Sequence, residues 1–350
     1  MVTKYGVIGD IHGTDTPLDE LIDKITNDGV DAWILNGDIG DNKQIIYNTL
    51  KRMGETQKPV YVQPGSHETV LDYFDALTEI KKEYQNIVDI VTSDDQIFTK
   101  EDHDLLFLPG TNKGKQFIET DTAESGLYVF LGDEYVEISP SDIEKIREFG
   151  GLENDLVYVT NPNSLDEMLK DKNQSNTIAF NHVPSKFDKN TSVDYSHFYK
   201  LILLQPDEQG NLSNLQIGTV PLNHKEEVKN NGFKIIDNSE EEDNLNAQLQ
   251  KAADLFRNDN CSLFAIESKE NCGSKFLKEW YNKYNINKVI SNHIPYASHN
   301  AHDIEENLIA ENTNTSTLFY NPGCASDNKA GLLIVDGEKV NYKNIDLNQS

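Results

Sequence analysis

Short apolar runs at residues 5–9, 32–36 and 59–63 predict three buried strands near the start of the chain. The stretches between them carry apolar residues at every third or fourth position, a spacing that predicts amphipathic helices. Thr16 and Pro17 are a typical N-cap and first helical residue, so we place the start of the first helix there. Strands that alternate with helices in this way predict a parallel sheet.

Beyond the third helix the pattern changes twice. Residues 87–138 carry short apolar runs separated by turns, which predict antiparallel strands or hairpins. Residues 185–259 are polar, rich in Asn, Asp and Lys, and show no clear period, so we expect an irregular insertion there. The alternation of strands and helices then resumes. We therefore predict a core formed by residues 1–184 and 260–350, interrupted by the insertion.

Acidic residues and histidines follow each of the first three predicted strands. Asp10 and His12 come directly after the first strand. Asp38 and Asp41 follow the second strand, and His67 follows the third. Asp10, Asp38 and His67 are spaced by 28 and 29 residues, about the length of one strand-helix unit. Because ligands of an open α/β sheet bind past the carboxyl ends of its strands, we expect these groups to lie together.

Two later strands also end at a histidine. His182 lies in the sequence Asn-His-Val-Pro, and His293 lies in Asn-His-Ile-Pro. Any one of these histidines is equally compatible with a structural role, and the Asp-x-His triplet alone is compatible with a solvated turn. Five strand ends with metal-ligand chemistry, taken together, predict a metal site.

The charge of the chain restricts its partners. Its 31 Lys and Arg residues against 59 Asp and Glu residues give a formal net charge of −28. Such an acidic surface repels a phosphate backbone, so we do not expect long nucleic acid as the main partner. A bound metal would still provide a local positive site for a small phosphate ester.

Cysteine count and hydropathy indicate the compartment. The three cysteines, Cys261, Cys272 and Cys324, are odd in number and match no zinc or redox spacing, which favours a reducing environment. The first strand begins within five residues of the start, which leaves no room for a signal peptide. No apolar run approaches the roughly 20 residues of a membrane helix. We therefore expect a cytoplasmic protein without a membrane span.

The ordered motifs resemble those of the calcineurin-like metallophosphoesterases. The order is D-x-H, G-D-x-x-D, G-x-H-E, H-x-P and a strand-terminal N-H. The segment 318–326, with the sequence LFYNPGCAS, resembles the N-P-G-S segment that follows the family's last motif. The resemblance implies an α/β fold with a four-layer α/β/β/α sandwich of two mixed sheets. It also implies two divalent metals and hydrolysis of a phosphate mono- or diester by a hydroxide that bridges them.

The resemblance also implies roles for individual residues. Asp10 and His12 would hold the first metal, and His182 and His293 would hold the second. Asp38 would bridge both metals. His67 would face the substrate, and Asp41 would hydrogen-bond His67 and fix its tautomer. The insertion at 185–259 is expected to shape access to this site.

Two positions depart from the family pattern. Ser66 stands where the family usually has an Asn ligand of the second metal, so any bond there would be weak or through water. Pro295 stands where the family usually has a histidine ligand of the first metal. His299 or His302 would have to reach back to replace it. The alternative is that these two histidines are solvated loop residues.

Two functions fit these residues. The first is a metal-dependent phosphoesterase that acts on a small or nucleotide-like substrate and uses manganese, iron or zinc, metals that mixed imidazole and carboxylate ligands favour. The second is an inactive relative that serves as a binding scaffold, because Ser66 and Pro295 weaken the ligand set. A nuclease is disfavoured because the chain lacks a basic stripe. The pattern does not indicate an oligomeric state.

Overall fold

The computed structural model describes most of the 350 residues. The described residues are 2–13, 17–93, 96–111, 115–131, 134–139, 142–149, 151–170, 172–206, 212–222, 225–236, 245–259 and 262–349. Thr16, the predicted N-cap, and Cys261 lie outside them.

Strands and helices fill most of the described residues. The strands are β1 Thr3–Ile8, β2 Ala32–Asn36, β3 Val60–Gln63, β4 Ile87–Asp89, β5 Ile97–Thr99, β6 Asp104–Leu108, β7 Phe117–Glu119, β8 Gly126–Leu131, β9 Glu134–Ile138, β10 Leu156–Thr160, β11 Thr177–Asn181, β12 Tyr195–Pro206, β13 Leu212–Pro221, β14 Lys234–Ile236, β15 Leu263–Asn271, β16 Lys288–Ser291, β17 Ala301–His302, β18 Leu318–Tyr320, β19 Lys329–Asp336 and β20 Lys339–Asp346. The α-helices are α1 Leu18–Asn27, α2 Lys43–Gly54, α3 Val70–Ile80, α4 Ile143–Phe149, α5 Asp166–Lys170, α6 Lys225–Asn230, α7 Leu245–Asp259 and α8 Lys275–Tyr284.

The chain divides into two compact units. The first unit comprises Met1–Asp194 and Cys272–Ser350, and the second comprises Tyr195–Asn271. The sequence placed the insertion at 185–259, about ten residues earlier at each end. Residues after 184 stay with the first unit because Ser185 pairs with Ser274 in a β-bridge.

Two six-stranded mixed sheets form the first unit. One has the order β20-β19-β1-β2-β3-β4, in which β1 to β4 are parallel and β19 is antiparallel to β1. The other has the order β17-β18-β16-β11-β6-β5, in which β18, β16, β11 and β6 are parallel. Parallel strands buried on both faces explain the continuous apolar runs in the sequence.

The layers follow from which side chains pack together. Tyr5 and Ile34 of the first sheet pack against Phe107 and Phe180 of the second, so the sheets face each other. On the outer face of the first sheet, Trp33 packs in a cluster with apolar residues of α1, α2 and α3. On the outer face of the second, α5 and α8 supply a similar cover. The arrangement is an α/β/β/α sandwich, as the resemblance implied.

Residues 87–138 differ in part from the prediction. β8 and β9 form the expected antiparallel hairpin, and β5 is antiparallel to β6. However, β4 is parallel to β3, and β6 is parallel to β11. A short apolar run predicts burial but carries no signal for strand direction, which the neighbouring strand decides. β7, β10, β8 and β9 form a third, four-stranded sheet in this unit.

The second unit is not irregular, contrary to expectation. It contains a four-stranded sheet in the order β13-β12-β15-β14. Its long strand β12 is antiparallel to both β13 and β15. Ile202, Phe264 and Ile266 form its core together with Ala252 of α7. Ala265 packs with Val228 of α6 in a second apolar cluster, so both faces of the sheet are covered and its strands lack a clear alternation of apolar and polar residues.

No helix in the described ranges is long and apolar enough to cross a membrane.

Substitution of a residue between the two large sheets tests the layer order. Phe107 is fully buried and stacks on Phe180 with ring centroids 5.3 Å apart. We expect Phe107→Ala to lower the free energy of unfolding of the first unit by about 3–5 kcal/mol through loss of burial and cavity formation. Urea unfolding followed by tryptophan fluorescence reports this unit, because Trp33 and Trp280 both lie in it.

Phe130→Ala is the matched control. Phe130 is 37% exposed on β8, so its removal should cost only about 1 kcal/mol. Equal losses for the two variants would contradict the burial of Phe107 between the sheets.

Candidate metal centre

The carboxyl ends of both large sheets meet at one edge of the first unit. Asp10 and Asp38 follow β1 and β2 of the first sheet, whereas His182 and His293 follow β11 and β16 of the second. Backbone hydrogen bonds tie neighbouring loops together: the Ile11 N–H donates to the Asp38 carbonyl at 2.7 Å. The loops that carry the candidate ligands are therefore held by the sheets beneath them.

The possible ligand atoms form three overlapping groups. The first is Asp10, His12 and Asp38, the second is Asp38, His182 and His293, and the third, more exposed, is His12, Asp41 and His67. Within each group, one possible ligand atom from every residue lies within 4.8 Å of the others. The structure thus brings together the five side chains that the resemblance implied as metal ligands, and Asp38 is common to the first two groups. That they bind metal stays a prediction.

Asp38 is held from two sides. Its Oδ1 accepts hydrogen bonds from the backbone N–H groups of Ser66 at 2.5 Å and His67 at 2.9 Å. Its Oδ2 lies 3.0 Å from His182 Nε2 and 3.9 Å from His12 Nε2. The Ser66 hydroxyl also donates to Oδ2, at 2.9 Å. One oxygen is therefore fixed by the loop after β3, while the other faces the imidazoles.

Both histidines of the second sheet face the two acids. His182 Nδ1 lies 2.9 Å from the Asn36 carbonyl and must donate to it, which leaves Nε2 free to act as a ligand. That Nε2 lies 3.8 Å from Asp10 Oδ1 and 3.2 Å from His293 Nδ1. The backbone N–H of His293 donates to Asp10 Oδ2 at 3.0 Å.

The backbone of the site is strained. Four of the five clustered residues have a positive φ, namely Asp10 (52°), His12 (56°), Asp38 (52°) and His293 (68°). Asp and His adopt this conformation more readily than most residues, but each still costs on the order of 1 kcal/mol or more. Gly37 has a φ of 87°, and a Cβ there would overlap the His182 ring. The rest of the fold must therefore impose this conformation.

His67 and Asp41 lie on the exposed side of the cluster. His67 Nδ1 is 3.1 Å from Asp41 Oδ1, and the two side chains are 45% and 48% exposed. The same carboxylate oxygen lies 3.6 Å from His12 Nδ1. The rings of His12 and His67 meet edge to face, with centroids 4.5 Å apart. One carboxylate thus faces both a candidate ligand and the predicted substrate-facing histidine.

Neither candidate replacement for the missing histidine faces the cluster. Pro295 begins a short 3-10 helix. His299 Nε2 lies 3.2 Å from the Ala330 carbonyl and must donate to it. His302 is fully buried in β17, with Nδ1 bonded to the Asp303 carbonyl and Nε2 to the Val193 N–H. The expectation of a solvated loop residue is therefore wrong for His302, because β17 pairs with β18 and buries it.

Sequence reasoning assigned no role to Glu68. This fully buried carboxylate accepts a hydrogen bond from the Gly65 N–H at 2.9 Å through Oε2. Its Oε1 accepts from the Ile39 N–H and, at 3.4 Å, from the Gly40 N–H. Glu68 therefore joins the loop that carries Asp38 to the loop that carries His67. The available signal was an acid directly after a candidate catalytic histidine.

A chain of buried amides also escaped sequence reasoning. Gln63 Nε2 donates to Asn36 Oδ1, and Asn36 Nδ2 donates to Asn292 Oδ1 at 2.8 Å. Asn292 Nδ2 then donates to the Gly323 carbonyl at 2.7 Å. Because Asn36 and Asn292 come from different sheets, this chain links the sheets at the edge that carries the candidate ligands. Amides at the ends of two apolar strands were the signal for it.

Lys115 supplies a positive charge beside the site. Its backbone N–H donates to the Ser66 carbonyl at 3.1 Å, and its Nζ donates to the His67 carbonyl at 3.4 Å. The side chain is exposed, and we find no ion pair between it and a carboxylate of the described residues. A cation at this point partly offsets the acidic character of the chain next to His67.

Burial and mutual proximity set the charges of the cluster. Burial raises the pKa of Asp10 to about 6 despite the opposing effect of His182. Burial also acts to raise the pKa of Asp38, but His182 overrides it and holds that pKa well below its ordinary value. Burial alone would lower the pKa of His182, yet Asp38 and Asp10 raise it to about 10. Burial and the neighbouring His182 lower the pKa of His293 to about 3.

The donor set fits divalent cations. Two buried carboxylates and three imidazoles converge, and one carboxylate is common to two groups of three. Mixed oxygen and nitrogen donors favour manganese, iron or zinc over calcium. A cation between these residues would also compensate for the burial of their carboxylates.

Known proteins similar to this chain were found by sequence family and by structure. The family model described as calcineurin-like phosphoesterase matches residues 3–207. One solved structure aligns with 99% of this chain and 100% of its own, at 12% identity and a TM-score of 0.49. TT1561 of Thermus thermophilus aligns at 11% identity over 98% of this chain and 99% of its own, with a TM-score of 0.47. Phosphopantetheinyl hydrolase (PptH) from Mycobacterium tuberculosis aligns at 12% identity over 83% of each chain, with a TM-score of 0.33. No curated protein matches the sequence.

A Cβ at Gly37 tests the tight packing of the site. We expect Gly37→Ala to weaken metal binding about 10- to 100-fold, because the new methyl group displaces the His182 ring. The measurement is the affinity for Mn²⁺, determined by titration with elemental analysis of bound metal.

Gly29→Ala is the control for backbone strain. Gly29 has a similar φ of 82°, and the nearest atom to its Cβ would be Lys4 Nζ at 3.8 Å. Gly29→Ala should lose about 1–2 kcal/mol of stability from backbone strain, and Gly37→Ala should lose more because its methyl group also overlaps the His182 ring. Only Gly37→Ala should lose metal affinity, and an equal loss in Gly29→Ala would contradict the local explanation.

Proposed function

Because the chain belongs to the calcineurin-like phosphoesterase family, we propose that it hydrolyses a phosphate mono- or diester with two divalent metal ions. The observation that carries the proposal is the position of Asp38, which lies in two of the three groups of possible ligand atoms. A shared carboxylate between two sets of ligands is the arrangement that a two-metal site requires. We propose manganese, iron or zinc as the metals.

The proposed ligands divide between the two sheets. Asp10 and His12 would hold the first ion, His182 and His293 the second, and Asp38 both. When bound, the two ions would lower the pKa of a water molecule and neutralise the oxygens of the phosphate group. Ser66 already donates its hydroxyl hydrogen to Asp38, so its main role would be to orient that carboxylate. Any bond from Ser66 to metal would be weak or through water.

His67 is the proposed proton donor for the leaving oxygen. Its ring is 45% exposed beside the buried ligands, where a substrate would meet it. Asp41 faces Nδ1 of His67. A hydrogen bond from the Nδ1–H to Asp41 would fix the orientation of the ring and leave Nε2 facing outward. A positioned imidazole of this kind contributes about 10²- to 10⁴-fold to the rate.

The proposed substrate is a small or nucleotide-like phosphate ester. A net charge of −28 disfavours long nucleic acid, and Lys115 beside His67 gives an anionic substrate a local attraction. A cytoplasmic location and an effect of the insertion on access stay predictions from the sequence.

The second candidate is a noncatalytic scaffold. It is favoured by Ser66 and Pro295, which stand at positions where the family usually has metal ligands. Three protein ligands would still remain for each ion if Asp38 serves both, which is common in catalytic sites. We therefore prefer the enzyme.

Metal content and turnover together test the proposal. The protein is loaded with Mn²⁺ and assayed with a p-nitrophenyl phosphodiester. We expect Asp38→Asn to lose bound metal and to reduce turnover by more than about 100-fold. We expect His67→Ala to retain metal and to lose about 10²- to 10⁴-fold in turnover, because it removes only the proton donor.

Asp89→Asn is the control for loss of a buried carboxylate in the same unit. Asp89 bonds Tyr73 and Thr92 and belongs to none of the three groups of possible ligands. This variant should keep metal and activity. Wild-type protein that shows no turnover, whether it binds metal or not, would contradict the enzyme and favour the scaffold.

Removal of the positive charge at Lys115 tests substrate attraction. We expect Lys115→Gln to raise KM for a dianionic phosphomonoester about five-fold while kcat changes less than about two-fold, from loss of about 1 kcal/mol of attraction. Lys51→Gln removes an exposed lysine near the far end of α2 and should change neither constant. Equal effects of both variants would indicate a general effect of net charge.

A further inference from the structure

Another buried acid, Glu119, lies outside the candidate metal centre. Glu119, the last residue of β7, is 8% exposed, and its Oε1 accepts a hydrogen bond from Ser274 Oγ at 3.2 Å. Among the described residues, no lysine, arginine or histidine forms an ion pair with it. The proposed reaction makes no use of this carboxyl group.

Strand pairing and one hydrogen bond place three hydroxyl-bearing residues near Glu119. Thr160 is its direct partner in the parallel pair β7–β10, so both side chains point to the same face of that sheet. Ser185 and Ser274 are partners in an isolated parallel bridge, so their hydroxyl groups share a side as well. The hydrogen bond between Glu119 and Ser274 joins the two pairs. Oxygen-bearing side chains from four separate segments are therefore neighbours, and the hydroxyl groups of Thr160 and Ser185 make no hydrogen bond to the carboxylate.

Two of these hydroxyl groups lack partners. Thr160 and Ser185 are 0% and 1% exposed, and neither hydroxyl has a hydrogen-bond partner in the part of the chain that the structure describes. A buried polar group without a partner costs about 1–3 kcal/mol. Both hydroxyl oxygens retain lone pairs that a cation can accept.

We propose that Glu119, Thr160, Ser185 and Ser274 bind a monovalent alkali cation, either K⁺ or Na⁺. All four side chains offer oxygen, the donor that hard cations prefer. A single carboxylate balances one positive charge, whereas calcium sites take several charged or carbonyl oxygens. The acidic chain also concentrates cations near its surface.

Cation binding exchanges with a proton. Burial raises the pKa of Glu119 to about 8, so the carboxyl group is mainly protonated at pH 7 without a counter-charge. When the cation binds, the carboxyl O–H bond breaks, the proton leaves to solvent and the carboxylate takes the cation. The charge of the site is balanced before and after the exchange.

The position of the site gives the cation a structural effect. Ser185 is three residues from His182, and Ser274 Oγ accepts a hydrogen bond from the Leu277 N–H at the start of α8. Backbone hydrogen bonds already join these segments, from Ser274 N–H to the Pro184 carbonyl at 2.8 Å and from Lys186 N–H to the Ser274 carbonyl at 3.0 Å. A cation held by both would fix the His182 loop to the helix.

Unfolding in different salts tests the proposal. The metal-loaded protein is unfolded in urea at pH 7.5 in choline chloride, NaCl or KCl of equal ionic strength, and tryptophan fluorescence reports the first unit. We expect at least one alkali salt to lower the unfolding equilibrium constant about ten-fold at a cation concentration ten times its Kd, with saturation. Thallous ion diffusion into crystals should place anomalous density beside Glu119.

Two variants make the test specific. Glu119→Gln keeps an acceptor for Ser274 and should abolish the difference between salts. Thr160→Val removes one unpaired hydroxyl with little change in shape and should reduce the cation affinity. Glu124→Gln removes an acid outside the cluster and should behave as wild type.

Three results would overturn the proposal. The first is equal stability of the wild-type protein in all three salts. The second is a salt difference that persists in Glu119→Gln or, if that variant does not fold, a cation affinity of Thr160→Val equal to that of the wild type. The third is a Thr160→Val variant that is stabilised equally in every salt, which would indicate a neutral acid beside unpaired hydroxyls or water. All of these outcomes are independent of phosphoesterase turnover.

Discussion

The Asp38 carboxylate is the point at which the two large sheets depend on each other. The loop after β3 supplies backbone N–H groups to one of its oxygens, and His182 from the second sheet faces the other. These contacts to Asp38 require that the neighbouring strands end at the same level in the sheet. The parallel register pairs Ile8 with Leu35 and Asn36 with Gln63, so the loops after β1, β2 and β3 leave the sheet at the same height.

The conformation of the site lowers the stability of the fold, and contacts in the surrounding structure offset that loss. Left-handed backbone at four clustered residues and buried carboxylates both oppose folding. Glu68 joins the strained loop after β2 to the loop after β3 through three backbone N–H groups. The amide chain through Asn36 and Asn292 adds a direct link between the sheets. These buried polar contacts are satisfied in directions that only one arrangement of the loops allows, so they select the geometry of the site.

The departures from the family pattern acquire a physical meaning in the structure. Ser66 is too short to extend past Asp38 and instead donates a hydrogen bond to it. Pro295 turns the chain into a 3-10 helix, and the later histidines are used to hold loops. The first group of ligand atoms thus depends on Asp10, His12 and Asp38. Under the proposed function, metal affinity at this position would be the property most affected.

The second unit has a sheet and an apolar core of its own. Apolar residues on both faces of this sheet pack against α6 and α7, so its strands do not show the alternation of a half-exposed strand in the sequence. The polar composition of residues 185–259 therefore predicted an insertion but did not predict the sheet and helices within it.

Much of the first unit followed from the sequence alone. The apolar runs at β1, β2 and β3 and the helices between them were predictable because burial on two faces demands continuous apolar residues. The candidate ligands were predictable because chemistry at strand ends recurs at the spacing of one strand-helix unit. The direction of β4 and β6 depended on tertiary structure, since a short run does not encode its neighbour. Tertiary structure also decided the roles of Glu68, Asn36, Glu119 and His302. A polar side chain acquires its role from partners that are distant in sequence, and only folding brings those partners within hydrogen-bond distance.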